Sequence, residues 1–281
     1  MFNGELKRSA FKRLLNANNN YQLTVEQVTS ESENLHKLRI DSSRKLIQNS
    51  ENYINILANS PKEFTKNVNK LKISFEDFEN VTNAIYDSDN VAVVSGSTIG
   101  GGAIVGTGVA VLAPTAAMAV ATTFGAASTG TAISALSGAA ATNAALAWLG
   151  GGAIAAGGGG MAGGSALLAL SGPIGWSIGG AALLGGGVYM RKKNKKISEK
   201  ANGEACRIQS ANGALAVALE EIKELHKITK RHSVGATNQL AALMETAPSD
   251  YLQFSEELKS ELGALINNIN SLSKLLVKNV G

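Results

Sequence analysis

Residues 90–190 form a run of 101 consecutive positions without an Asp, Glu, Lys, Arg or His. All 48 formal charges of the 281-residue chain therefore lie outside this run. Random mixing at an overall charged fraction of 17% would not leave such a gap. The mean hydropathy of +0.05 conceals the segregation, because it averages the uncharged segment with two charged flanks. We expect an uncharged segment of this length to act in or on a lipid bilayer.

The uncharged segment is built mainly of small residues, with 25 of the chain's 31 glycines and 26 alanines. Glycine costs a helix in water about 1 kcal/mol relative to alanine. In lipid, however, backbone groups must be satisfied internally, which favours a helix, and small residues let helices approach closely. Spacings of four residues predict packing ladders, with chance spacing in a Gly/Ala-rich segment as the alternative. The predicted helix-packing residues are Gly102, Gly106, Gly130, Gly138, Gly152, Gly160, Gly164, Gly175 and Gly179.

The segment is long enough for several membrane passes, since about 20 apolar residues cross a bilayer. The candidate spans are 99–122, 131–149, 154–171 and 174–190. None of them is rich in leucine, so each is only weakly hydrophobic. That property suits a segment that moves between a water-soluble form and an inserted form.

Aromatic and basic residues predict where the segment meets the membrane interface. Trp and Tyr favour the headgroup level, and a basic cluster directly after an apolar segment is typical of a membrane edge. The tryptophans have an equal alternative, which is to fill gaps among small side chains. The predicted interface residues are Trp148, Trp176, Tyr189, Arg191, Lys192 and Lys193.

The two charged flanks predict amphipathic helices, because their apolar residues recur at helical intervals. Polar runs at 16–20, 87–90, 232–235 and 247–250 predict weak points or breaks, and Pro61 suits the first turn of a helix. In the last helix the leucine and isoleucine positions alternate spacings of four and three, which indicates a heptad seam. This seam either packs within the chain or pairs with another chain. Its residues are Leu258, Leu262, Leu265, Ile269, Leu272 and Leu276.

These features predict an all-α protein with three segments, 1–89, 90–190 and 191–281. The flanks would form an amphipathic helical bundle or a coiled-coil stalk that carries the membrane-inserting segment. The basic residues after position 190 favour an odd number of passes, with the flanks on opposite faces of the membrane. The similarity of the two flanks favours an even number, with both flanks packed together beside a membrane hairpin, and we prefer this second arrangement.

Catalytic and cofactor-binding patterns are missing from the sequence, so we expect no enzyme activity, no cofactor and no metal. The glycine-rich stretches lack the lysine of a phosphate-binding loop. The histidines are scattered, and His226 and His232 are six residues apart, which does not place two ligands on one helix face. Cys206 is expected to be a buried structural thiol. No nucleic-acid-binding pattern accompanies the net charge of +4.

The small-residue stretches 137–143, 148–152 and 157–164 resemble the glycine-zipper core of uncharacterised bacterial coiled-coil membrane proteins. More loosely, the architecture is similar to helical pore-forming proteins of the colicin channel, apolipoprotein L and cytolysin A types. The resemblance implies an apolar membrane segment carried by an amphipathic helical bundle. It covers the middle third of the chain and carries over no individual functional residue.

The resulting hypothesis is a pore-forming or membrane-permeabilising effector, as in toxin delivery or anti-phage defence. Its partners would be a lipid bilayer and further copies of itself, with a possible protein partner on the flanks. It would act in a bacterial inner membrane or a target-cell membrane, with a possible soluble cytoplasmic form before insertion. One alternative is a non-lytic, membrane-anchored coiled-coil scaffold that recruits partners. A third hypothesis is a soluble protein with a buried Gly/Ala-rich core.

Overall fold

The computed structural model describes residues 2–95, 121, 124–136, 138–150, 160 and 190–280. Short 3-10 turns occur at Ile133–Ala135 and Tyr251–Gln253. Isolated single-residue β-bridges are the only other pairing in these ranges, so the predicted all-α fold class is confirmed. The helices are α1 (Phe2–Ile56), α2 (Lys62–Ser95), α3 (Gly138–Leu149), α4 (Met190–Thr246) and α5 (Glu256–Leu276).

The chain divides into two compact units, and each unit contains residues of both flanks. Unit 1 consists of Met1–Ser30, Asp87–Glu220 and Asn279–Gly281. Unit 2 consists of Glu31–Tyr86 and Glu221–Lys278. The uncharged segment therefore falls in unit 1, together with the beginnings of α1 and α4.

Three of the predicted helix breaks are wrong, and one is confirmed. Helix α1 continues through 16–20, α2 continues through 87–90 to Ser95, and α4 continues through 232–235 to Thr246. Tertiary packing outweighs weak local propensity in long helices. In α1, for example, Ala17 and Tyr21 are buried on either side of the asparagine run. The predicted break at 247–250 separates α4 from α5.

In unit 2, the two helical hairpins of the chain lie side by side. Helices α1 and α2 run antiparallel, since Arg44 contacts Glu79 at 2.6 Å and Glu51 contacts Lys72 at 2.8 Å. Helices α4 and α5 form the second hairpin, joined by the short connection around residue 250. The carboxylate of Glu31 lies 3.8 Å from the imidazole of His226.

The turns of these two hairpins are bonded to each other. The Ala58 N–H donates to the Ser249 carbonyl at 2.8 Å, and the Ala58 carbonyl accepts from the Tyr251 N–H at 3.0 Å. Asn59 adopts a φ of +55°, which its short polar side chain tolerates, and donates to the Asp250 carboxylate at 2.9 Å. Because α1 and α4 both lead into this junction, they run in the same direction in unit 2.

The core of unit 2 is made of large apolar side chains from all four helices. Phe64, Leu71 and Phe75 of α2 pack in the same cluster as Leu240 and Leu243 of α4. The predicted heptad residues Leu262, Leu265, Ile269, Leu272 and Leu276 of α5 are buried in this cluster, and Leu258 packs against its edge. The heptad residues of α5 therefore pack inside the chain, where α5 is one helix of a bundle.

Replacing a core leucine in α5 should destabilise unit 2 strongly. Leu265 is fully buried, so Leu265→Ala should lower the free energy of unfolding by about 2–5 kcal/mol. Leu252 is 73% exposed, so the same change there should cost less than about 0.5 kcal/mol. Urea unfolding followed by circular dichroism measures both. Equal effects of the two substitutions would contradict the assignment of Leu265 to the core.

Candidate membrane-active segment

Residues 124–133 of the uncharged segment form a compact turn. The Ile133 N–H donates to the Gly125 carbonyl at 3.0 Å, and the Ala127 N–H donates to the Thr131 carbonyl at 2.8 Å. Gly130 lies exposed in this turn with a φ of +79°, a left-handed conformation that glycine adopts at no steric cost.

Two predictions on this part of the chain are therefore wrong. Gly130 does not pack between helices, since nothing lies within 4 Å of a Cβ built on it. The candidate span 131–149 is not one membrane-length helix, because its helical part is the 12-residue α3. The Ser, Thr and Gly residues at 128–131 explain the difference, since such residues favour turns over helices.

Gly125 is the tightest packing point of the turn. A Cβ at this position would collide with the Ala121 carbonyl oxygen and would lie 3.0 Å from Ile133 Cδ1 and 3.2 Å from Trp148 Cγ. The absence of a side chain thus lets the backbone approach Trp148 closely. The sequence analysis did not select this glycine, although it lies four residues after Ala121 and eight after Ala117.

Trp148 lies near the end of α3 and packs against the buried cluster of unit 1. It is half-buried, beside Gly125. Of the two predicted roles for this tryptophan, the described conformation corresponds to filling a gap among small residues. Its role at a membrane interface stays a prediction.

The flanks provide small-residue faces on which this part of the segment packs. Ala17 of α1 and Ala205 and Ala211 of α4 are buried in one cluster with Ala145 and Leu149 of α3. The two flanking helices run parallel here as well. Ser198 Oγ of α4 donates to the Leu6 carbonyl of α1 at 3.2 Å, and Arg13 Nη2 donates to Gln209 Oε1 at 3.1 Å.

Unit 1 also buries polar atoms that have no hydrogen-bond partner among the described residues. These atoms are Asn18 Oδ1, the Tyr21 hydroxyl, Thr29 Oγ1 and Asn212 Oδ1. Tyr21 is 2% exposed, and burial raises the pKa of its phenol well above the ordinary value. Each buried, unpaired polar group costs about 1–3 kcal/mol. The packing of the uncharged segment in unit 1 is therefore weaker than its buried area alone implies.

The other predicted helix-packing and interface residues lie at several separate places in the chain. Gly138 is the first residue of α3, and Gly160 is buried with a φ of +55°. Arg191, Lys192 and Lys193 belong to the first turn of α4. The remaining predicted residues lie outside the described ranges, namely Gly102, Gly106, Gly152, Gly164, Gly175, Gly179, Trp176 and Tyr189.

A buried arginine in unit 2 was not predicted from the sequence. Arg39 is 1% exposed, its Nη2 donates to the Lys278 carbonyl at 3.1 Å, and its guanidinium lies 5.6 Å from the centre of the Phe78 ring. Burial lowers the pKa of Arg39 to about 10, so the side chain is charged at neutral pH. The signal was present in the sequence, because Arg39 occupies the helical stripe that continues from Leu35.

His36 packs beside this arginine, with its ring centre 5.2 Å from that of Phe78. Burial, and then the positive charge of Arg39, lower the pKa of His36 below its ordinary 6.5. Within the described ranges, no group of three or more His, Cys, Asp or Glu side chains has the geometry to hold a metal ion. Cys206 is exposed rather than buried as predicted, and Arg13 lies 3.5 Å from its Sγ.

Comparisons with known proteins give no relative: no family model, no curated protein and no solved structure matches the chain. Among the residues that the structure describes, no helix combines the length and the apolar character needed to cross a bilayer. Of the candidate spans, 99–122, 154–171 and 174–190 lie outside the described ranges except at residues 121, 160 and 190.

A methyl group at Gly125 should disturb the packed turn. We expect Gly125→Ala to lower the stability of unit 1 by about 1–3 kcal/mol, because the added Cβ overlaps backbone and ring atoms. Gly203→Ala is the matched control. It has open space around its Cβ inside α4 and should stabilise the helix by up to about 1 kcal/mol. Urea unfolding of a Trp176→Phe background, followed by Trp148 fluorescence, measures both, and stabilisation by Gly125→Ala would contradict the described turn.

Acidification should destabilise unit 2 through His36. Because the pKa of His36 is lower in the folded than in the unfolded protein, its contribution is complete above pH 6.5 and decreases as the pH falls below that value. His36→Phe keeps an aromatic ring beside Phe78 and removes the titration. The difference in unfolding free energy between the two proteins should be constant at alkaline pH and should change in favour of the variant below pH 6.5. If the unfolding free energies of the wild type and His36→Phe change with pH in parallel across this range, the prediction is contradicted.

Proposed function

We propose that the protein inserts its uncharged segment into a lipid bilayer and permeabilises it, and that the flanking helices hold the segment in a soluble form beforehand. The observation that carries the proposal is the packing of residues 121–150 in unit 1. There, part of the 101-residue uncharged segment packs against small-residue faces of both flanks. An apolar segment kept out of water by weak contacts can be released to a membrane.

The apolar cores of unit 1 and unit 2 differ in the size of their side chains, as the proposed release requires. Among the described residues, five of the ten buried members of the unit 1 cluster are alanine. In unit 2 only one of the eighteen members, Ala236, is alanine. A buried leucine contributes about 2 kcal/mol more than a buried alanine, at about 0.8 kcal/mol per carbon.

The parallel packing of α1 and α4 bears on how the segment would cross the membrane. Within unit 1, Leu6 contacts Ser198 and Arg13 contacts Gln209. Flanks that pack on each other in this way belong on one side of a bilayer. This supports an even number of passes by a hairpin, and Arg191, Lys192 and Lys193 would then meet the headgroups at its end.

In the inserted form, the glycines of the segment would let its helices pack closely within and between copies. A pore formed in this way would have no charged residues in its lining, because residues 90–190 contain none. Such a lining gives leakage and depolarisation rather than selective transport. The functional unit would be a homo-oligomer in the target membrane.

Dye release from liposomes tests the proposed function directly. The purified protein should release an encapsulated fluorescent dye from anionic vesicles. A protein lacking residues 96–189 should release none. No release by the full chain at any protein-to-lipid ratio or pH would count decisively against permeabilisation.

A matched pair of variants tests whether glycine packing is needed. Gly152→Leu together with Gly164→Leu should reduce dye release at least about tenfold, because leucine prevents close approach of helices. Gly160 is left unchanged, since its φ of +55° would strain a leucine in the soluble form. Gly203→Leu together with Gly213→Leu is the control, as both sites have open space around them in α4. Equal release by the two variants would contradict the role of the glycine ladders.

A membrane-anchored scaffold is the second candidate, favoured by the exposed apolar residues at the turn end of unit 2. Ile56 is 65% exposed and Leu252 is 73% exposed, at the junction of the two hairpins. A protein partner could cover them. Expression in bacteria separates the candidates, because a pore-forming protein should collapse the membrane potential and a scaffold should leave it unchanged.

A further inference from the structure

The residues that follow α5 return to the uncharged segment. The Val280 N–H donates to the Phe124 carbonyl at 2.6 Å, and Val280 pairs with Gly125 in a parallel bridge. Val280 is 1% exposed, whereas Val277, at the end of α5, is 56% exposed. The chain therefore turns from solvent into the buried part of unit 1 within three residues.

The partners of Val280 lie at the centre of the packed turn. Phe124 is 2% exposed, and Gly125 packs against Ile133 and Trp148. The Gly125 carbonyl in turn accepts from the Ile133 N–H. Val280 thus completes a small network of backbone hydrogen bonds whose other members all belong to the uncharged segment.

We propose that residues 279–280 are a latch that holds the uncharged segment against the flanking helices until a membrane is met. The inference rests on the proposed function, since it assigns the contact that controls release. Closing the latch forms the hydrogen bond from the Val280 N–H to the Phe124 carbonyl and buries the Val280 side chain. Opening it removes one hydrogen bond and one valine side chain, a contact small enough to be reversible.

The latch also explains why an apolar residue occurs at position 280, outside the heptad pattern of α5. Val280 is separated from the heptad seam of α5, whose last member is Leu276, and Lys278 and Asn279 between them are polar. Val280 is nevertheless buried, and its backbone pairs with residues 124–125.

The experiment compares Val280→Asp with Val277→Asp in the full chain by hydrogen–deuterium exchange in the absence of lipid. A carboxylate at the buried site should open the latch, because an unpaired charge is not tolerated there. The amides of Gly125, Ala127, Gly130 and Ile133 should then exchange at least about tenfold faster than in the wild type, as expected for local opening. Val277→Asp should leave their exchange unchanged.

An internal reference distinguishes latch opening from unfolding. The amides of Leu265, Ile269 and Leu272 in α5 should keep their wild-type exchange rates in Val280→Asp. Should they also accelerate, the milder Val280→Ala replaces it and must reproduce faster exchange confined to residues 125–133. Unchanged exchange there in Val280→Asp, or equal acceleration by Val277→Asp, would overturn the latch.

Dye release then separates the latch from the proposed function. If the wild type releases dye, Val280→Asp should do so several-fold faster at the same protein-to-lipid ratio, and an unchanged rate would overturn the latch. If no protein releases dye, the proposed function fails. Faster exchange at residues 125–133 would still support the contact as the one that holds the segment.

Discussion

The packing of α1 along α4 in the same direction is the interaction on which the rest of the molecule depends. It is made in each unit by different residues, Leu6 with Ser198 in unit 1 and Glu31 with His226 in unit 2. Two helices from opposite flanks can run in the same direction only if the chain between them returns from the end of the first helix to the side on which that helix began. In unit 1, the described residues 121–149 of the uncharged segment pack against alanines of both flanks.

The α1 side of this packing is notably polar. Along the buried stripe of α1, Ser32, Ser43 and Ser50 alternate with large apolar residues, and Arg39 is fully buried among them. Buried polar groups lower stability, but they also restrict which register two helices can adopt. In unit 2, these buried polar groups of α1 lie in the same bundle as a large cluster of apolar side chains. Unit 1, whose buried cluster is half alanine, has the smaller reserve of packing energy.

The difference between the units gives a physical basis for conditional release. A bundle of leucine and phenylalanine side chains can stay folded while a cluster of alanines opens, because the burial energy follows the apolar area removed from water. The proposed opening would begin at the pairing of Val280 with Phe124. Under this interpretation, unit 2 provides a permanent framework, and unit 1 provides the exchangeable contacts.

The sequence by itself determined the helical class, the uncharged segment and the heptad seam of α5, because each depends on a residue pattern that repeats locally. It was wrong at 16–20, 87–90 and 232–235, where helices continue through polar runs. At 16–20 and 232–235 buried neighbours such as Tyr21 and Ala236 favour this continuation. It was also wrong at Gly130 and Cys206. Whether the seam of α5 packs inside the chain, which way α1 and α4 run, and that Val280 contacts Phe124 were decided only by the tertiary structure. These features join residues far apart in the chain, and no local pattern records which distant surface a side chain will meet.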